Sequence, residues 1–393
     1  MSGRDPGTGL IHHPYQAPDG FESPAVAVHK GSTVFFPSVA AMRSRTWKDK
    51  SAYTYGLHGT PTTFTLEERI AALEGGRHTL LVGSGLAAIA LVNLSLLRAG
   101  DEVLLPDNVY GPSRELALHE LAQYGVSHRI YDPMAGADAL RAAIGERTRL
   151  VWIEAAGSVT LEFPDVRALV AVARERRVTV ALDNTWGAGI AFPAFGLGSG
   201  HGVDVSVHAL TKYPSGGGDV LMGAITSVDR QLHERLMMTH GRLGLAVGAN
   251  DAELVLRSLP SLHLRYHAQD RAAREIAAWA LRRPEFARVL HPALPDSPGH
   301  AHWASLCTAA AGLVSVVFDA RHDGAAVDRF VDALQLFRIG YSWGGPISLA
   351  MPYRVQTMRN FAPPAAGSLV RLCIGLEHPD DLIADLEQAL QAL

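Results

Sequence analysis

Short apolar runs recur between residues 80 and 209, each bounded by polar or glycine-containing stretches. They are LLV at 80–82, EVLLP at 102–106, HRIY at 128–131, LVWIE at 150–154, TVALD at 179–183 and VDVSVHA at 203–209. GAIT at 223–226 adds a seventh. Runs of this length, bounded by turn residues, read as strands, several of them covered on both faces. The intervening stretches 86–98, 112–124, 137–145 and 165–176 place apolar residues at helical spacing. Strand–helix alternation of this kind predicts an α/β fold with a large, mostly parallel seven-stranded sheet. Residues 251–282 read as one or two helices leading out of it. Beyond them, GLVSVVF and LVRLCIGL are strand patterns, with helices over 325–334 and 379–391. Residues 1–60 are rich in Gly, Pro, His and Ser and show weak periodicity, as expected of an extended arm that needs a neighbouring surface to become ordered. The expected organisation is an arm over 1–60, a large domain over 61–260 and a smaller α/β domain over 261–393.

A chain of 393 residues with 48% hydrophobic content can support two cores. Its formal net charge of −4 gives no electrostatic footprint for nucleic acid or an anionic membrane. No run has the length and apolarity of a membrane span, and the first twenty residues lack the apolar stretch of a signal peptide. Only Cys307 and Cys373 are present, far apart, which argues against a disulfide scaffold and fits a reducing compartment. A cytoplasmic protein is expected. Neither His300 and His302 nor His12 and His13 supply the spacing of a metal site.

Lysine usage changes the picture. Lys30, Lys48 and Lys50 lie in the arm, and beyond them the chain uses arginine with the single exception of Lys212. An amine is the group that condenses with an aldehyde, and arginine cannot do so. A surface lysine left by chance is the plainer alternative.

In an open α/β sheet, ligands gather beyond the carboxyl ends of the strands. Asp183 closes TVALD, where it could face a cation or simply cap a turn. Ser84 and Gly85 precede an apolar helix, and such a helix start can receive an anion. Tyr110 follows EVLLP and is placed either to stack on a ring or to pack. Thr211 adjoins Lys212 and could donate to a phosphate. The run Gly216–Gly218 could let the backbone approach a ligand or could form only a tight turn.

From Tyr53 onward the chain resembles the cysteine/methionine-metabolism pyridoxal-phosphate (PLP) enzymes, within them the cystathionine β-lyase group. The resemblance rests on YTYGLHGTPTTFTLEERIAALEGG, DNVYGPS, YDPMAGAD, ALDNTWGAG, DVSVHALTKY, HPALPDSPGH, YSWGG and RLCIGLEHPDDLIADL, in that order and spacing. It implies the PLP-dependent fold type I, with pyridoxal 5'-phosphate held covalently by Lys212. It implies that Asp183 faces the pyridine nitrogen and that Tyr110 stacks on the ring and assists proton transfer. The N–H groups of Gly85 and Leu86 would hold the phosphate with Thr211 beside them, and Tyr55 would reach it from a neighbouring subunit. Arg371 would grip the substrate carboxylate in a bidentate fashion, with Ser342 and Trp343 lining that pocket. A homotetramer built as a dimer of dimers is implied, since sites would be completed across a two-fold interface.

The implied reaction is β-elimination: L-cystathionine or a related cysteine S-conjugate gives a thiol such as homocysteine, with pyruvate and ammonia, a step of methionine biosynthesis. Trp343 in YSWGG and the Gly-Pro-Ser after Tyr110 resemble the β-acting members. Four departures flank the sites: Leu57 in place of a phosphate-binding arginine, GGGD at 216–219, EAAGS at 154–158, and Pro346-Ile347 after YSWGG. They bear on the substrate more than on the reaction type. The rival readings are γ-replacement or γ-elimination, as in cystathionine γ-synthase or a homoserine-ester sulfhydrylase, and a non-catalytic PLP-binding regulatory protein.

Overall fold

A computed structural model describes residues 20, 23–198, 202–363 and 367–393. The expected readings of the first nineteen residues, including His12 and His13, lie outside the described residues. Seven strands form the larger sheet: β1 His78–Val82, β2 Glu102–Pro106, β3 Ser127–Tyr131, β4 Thr148–Glu154, β5 Thr179–Asp183, β6 Val205–Ala209 and β7 Gly223–Ser227. Their order across the sheet is β1-β7-β6-β5-β4-β2-β3. The strands β3, β2, β4, β5 and β6 run parallel, whereas β7 is antiparallel to both β6 and β1. Residues 210–222 carry no crossover helix, so the chain leaves β6 and turns straight back. That reversal is where Lys212 sits.

Helices cover the sheet at the predicted places: Gly85–Leu96, Gly136–Ala143 and Val166–Glu175. The helix expected over 112–124 is instead interrupted, with an α-helical stretch Gly111–Leu116 passing into a wider π turn at Ala117–Leu121. The sequence offers no cue for that bulge. Helix Pro61–Glu74 opens on a reciprocal cap between Thr60 and Thr63, with Pro61 at its first position.

The second sheet contains β8 Phe286–Leu290, β9 Leu313–Phe318, β10 Arg338–Ile339, β11 Leu349–Arg354 and β12 Ser368–Cys373, in the order β10-β11-β12-β9-β8. Sequence patterning finds β9 and β12 but not β8, β10 or β11. In β11, LAMPYR is broken by Pro352, which argues against a strand. It is tolerated because β10 pairs only with Leu349 and Ala350, leaving Pro352 bonded on one side alone.

One apolar cluster runs through both sheets. Leu182 and Val180 of β5 and Phe163 from the connection after β4 share it with Leu262 and Tyr266 of helix Leu262–Ala280, with Leu313 of β9 and with Cys373 of β12.

Candidate active site

The strand ends of the larger sheet converge on Lys212. Its Nζ donates to Ser342 Oγ at 2.7 Å and lies 5.4 Å from the centre of the Trp343 ring. Burial, reinforced by the nearby positive charge of Arg371, brings its ammonium down from the usual lysine range to about 8. No carboxylate among the described residues is within ion-pair distance of it. Ser342 takes a φ of 132°, a region non-glycine residues avoid, so the hydroxyl that meets Lys212 is held at a conformational cost. Trp343 packs edge-on against Tyr213, ring centres 5.4 Å apart.

Arg371 lies in the middle of β12, opposite Met351 and Ser315. It is 7% exposed, its guanidinium stands 5.3 Å from the Tyr353 ring centre, and its Nε is buried with no partner among the described residues. A buried guanidinium with an unmet donor is a site waiting for an anion.

Asp183 ends β5 directly beside Glu154, which ends β4. Burial raises the Asp183 carboxyl above its ordinary range, while the hydrogen bonds from Thr185 and the charge of His208 pull it back. Its Oδ1 accepts from the Thr185 N–H at 3.0 Å. Behind this pair, Glu74 gathers His208 Nδ1 at 2.8 Å, Ser206 Oγ at 2.8 Å and Asn184 Nδ2 at 2.9 Å, all buried. Tyr110 sits at the start of helix Gly111–Leu116 and is 42% exposed. Burial, then the charges of Asp183 and Glu154, push its hydroxyl up, while Arg371 pulls it down.

At the end of β1, Ser84 caps helix Gly85–Leu96 by accepting from the Ala87 N–H at 3.0 Å. The Gly85 and Leu86 N–H groups are left over at the positive end of the helix dipole. Gly85 is required by close approach, since a Cβ there would come within 2.6 Å of Ala209 Cβ. The helix start is thereby pressed against the end of β6, three residues before Lys212.

Two expected ligands have other contacts within the chain. The Thr211 hydroxyl donates to Met222 O at 3.2 Å and accepts from the Met222 N–H at 3.0 Å, so its proton is already committed to the backbone. Tyr55 is 48% exposed on the arm, in edge contact with His58. Gly216 and Gly218 take φ of 66° and 72°, a tight turn, and Gly216 lies under the Arg265 guanidinium.

Sequence reasoning passed over Glu154 and a buried clamp. Glu154 Oε2 accepts from the Tyr110 N–H at 2.7 Å. Arg359, in the connection from β11 to β12, donates to Asp107 O, Ser158 O and Thr160 Oγ1 and pairs with Glu162 at 3.3 Å. Asp107 in turn accepts from the Asn360 and Phe361 N–H groups at 2.7 and 3.1 Å. These partners are some 44 to 254 residues apart in sequence, beyond the reach of any local pattern.

The donor set suits a phosphorylated aldehyde. Free N–H groups at a helix start, an amine without a counter-charge, a carboxylate at a strand end and a buried guanidinium with an unmet donor are all present. Comparison with known proteins agrees. Residues 7–391 match the family described as Cys/Met metabolism PLP-dependent enzyme. The chain is 40% identical over 390 residues to a cystathionine beta-lyase of Bordetella avium, covering 97% of this chain and 96% of that one. It is 34% identical over 367 residues to the cystathionine beta-lyase MetC of Escherichia coli, covering 92% and 91%. Among solved structures, metB from Corynebacterium glutamicum superimposes with a TM-score of 0.86 at 28% identity, over 98% of this chain and 97% of that one.

Proposed function

The chain belongs to the Cys/Met-metabolism PLP-dependent enzymes, and we propose that it is a carbon–sulfur β-lyase acting on L-cystathionine or a related cysteine S-conjugate. The observation that carries the reading is the pairing of Lys212 with Arg371: an amine lowered to about 8 facing a buried guanidinium with an unmet donor. That is the arrangement needed to hold an amino acid by its carboxylate while a base works at its α-carbon.

Lys212 would hold pyridoxal phosphate covalently, the Gly85 and Leu86 N–H groups its phosphate, Tyr110 its ring face and Asp183 the proton on its ring nitrogen. When bound, the group supplies a sink for the electrons left by the departing α-proton. Arg371 fixes the substrate carboxylate. Freed once the substrate amine has taken its place, Lys212, steered by Ser342 Oγ, would take the α-proton and return a proton to the departing sulfur, with Tyr110 the other candidate donor. The Cβ–S bond breaks, and water converts the remaining fragment to pyruvate and ammonia, so the proton balance closes on one amine. Trp343 walls the pocket beside Lys212 and supports β- over γ-chemistry.

Completion of the site by Tyr55 of a second copy, in a dimer of dimers, belongs to the same reading. It is supported by the arm: no described residue before Thr62 is buried, and Phe35 is 91% exposed. Among the described residues no helix is long and apolar enough to cross a membrane, which agrees with a cytoplasmic enzyme.

A panel of cystathionine, cystine, methionine and homoserine esters, scored by keto-acid product, tests the proposal. Pyruvate from cystathionine is expected. Predominant 2-oxobutyrate would move the protein to γ-chemistry, and cofactor uptake with no turnover of any substrate would make it a binding protein.

A further inference from the structure

Two carboxylates end neighbouring parallel strands in register, Glu154 on β4 and Asp183 on β5. Glu154 is 9% exposed, and the only hydrogen bond its side chain makes among the described residues is the one it accepts from Tyr110 N–H at 2.7 Å. Among the described residues no cation lies within ion-pair distance of it, because the nearby Arg359 is committed to Glu162 at 3.3 Å. A buried carboxylate beside a half-buried one, without a counter-ion, cannot ionise together with it at ordinary cost.

We propose that Glu154 is a positioning residue that works as a neutral carboxylic acid, anchoring the Tyr110 backbone through one oxygen and leaving the negative charge to Asp183. The inference rests on the reading of Tyr110 and Asp183 given above. It adds that the strand-end pair shares one charge, assigned by the surroundings. Asp183 accepts from the Thr185 N–H at 3.0 Å, and the influences of His208 and Glu74 behind it oppose each other, whereas Glu154 has one backbone donor and is disfavoured by burial, Asp183 and Glu162. The opposing influence on Glu154 comes from the Tyr110 N–H and from Arg359, and its carboxyl still lies well above the usual range. Tyr110 is thereby held by a group whose charge does not compete with that of Asp183 for a cation in the cleft.

Glu154→Gln keeps the shape and an oxygen acceptor for the Tyr110 N–H, and Glu154→Ala removes both. Gln should retain kcat/KM within about threefold with an unchanged pH profile, while Ala should lose about tenfold or more, the cost of a broken buried hydrogen bond. A second readout needs neither cofactor nor substrate. A carboxyl raised in the folded protein binds a proton that the unfolded chain, with its ordinary value near ~4.3, has already lost. Stability of the wild type should therefore fall relative to Glu154→Gln as pH rises from about 5 towards 8 in melts of the cofactor-free protein. The infrared difference between the two should also show a carboxylic-acid carbonyl band lost on substitution. A pH-independent melting difference, or ionised-carboxylate bands in that spectrum, would overturn the proposal, as would a Gln variant as impaired as Ala. Failure of the PLP reading would show separately, as an absent visible band in the wild type.

Discussion

Lys212 and Arg371 face each other across the cleft as one group that must lose its proton and one that never does. In the cofactor-free protein the amine is lowered to about 8, so the rate of cofactor uptake should climb as pH rises through that value, because only the uncharged amine can attack an aldehyde. An uptake rate flat from pH 7 to 9 would place the attacking amine elsewhere. Lys212→Ala should abolish turnover and the visible absorbance of the bound cofactor. Arg371→Ala should leave that absorbance intact and raise KM about tenfold to a hundredfold, the worth of charge-assisted hydrogen bonds to a carboxylate. Steady-state kinetics and a spectrum of each variant separate the two roles. Lys212 was legible in the sequence for a chemical reason, since packing alone does not call for an amine in an arginine-using chain. Arg371 entered only through the family resemblance. Glu154 was not legible, because a glutamate closing a strand is ordinary until its neighbour proves to be a half-buried aspartate. Thr211 shows the limit of reading a role from a loop position. Its hydroxyl is in the right loop, but the Met222 backbone already engages it.

Strand ends and the start of one helix make up the site, and the contacts between them are tight. Gly85→Val would drive its Cβ into Ala209, at 2.6 Å, and the helix would have to lift away from β6. A loss of about 1–3 kcal/mol in denaturant unfolding is expected, together with weaker cofactor retention on dialysis. The β11–β12 connection is a different kind of joint, its Arg359 buried against Glu162 with side chains 5% and 7% exposed. Arg359→Met should cost about 3–5 kcal/mol by stranding that carboxylate, and adding Glu162→Gln should recover part of it. Urea melts of the single and double variants check this. The seven strands of the larger sheet could be read from alternation because each is a local apolar run. This joint could not, since Arg359, Asp107 and Glu162 meet only after both sheets have folded. Pro352 likewise hid β11 until its one-sided pairing was seen.

At the scale of the whole molecule, a well-buried body carries an arm that touches its core clusters only at the margin, through the partly buried Val26 and Trp47. The arm roofs a hollow of about 360 Å³ lined by Trp47, His58, His233 and His240, yet every described residue before Thr62 keeps some exposure. Deleting residues up to about 40, which spares Trp47 and the Lys50–Glu67 ion pair, should lower the melting of the body only modestly while shifting the assembly to smaller species and loosening the cofactor. Sedimentation velocity and cofactor absorbance on the same sample measure both. A truncated protein that stayed at full size with full cofactor would detach the arm from the site. The weak periodicity of the first sixty residues already signalled a segment without a core of its own.

The apolar cluster that joins Leu182 and Phe163 to Tyr266, Leu313 and Cys373 welds the two sheets together through greasy contact. Swinging one sheet against the other would expose that surface to water, so the mouth of the cleft resists opening and shutting like a jaw. Selection between short and long thioethers would then fall to the loops around Lys212 and Arg371 rather than to a movement of one sheet against the other.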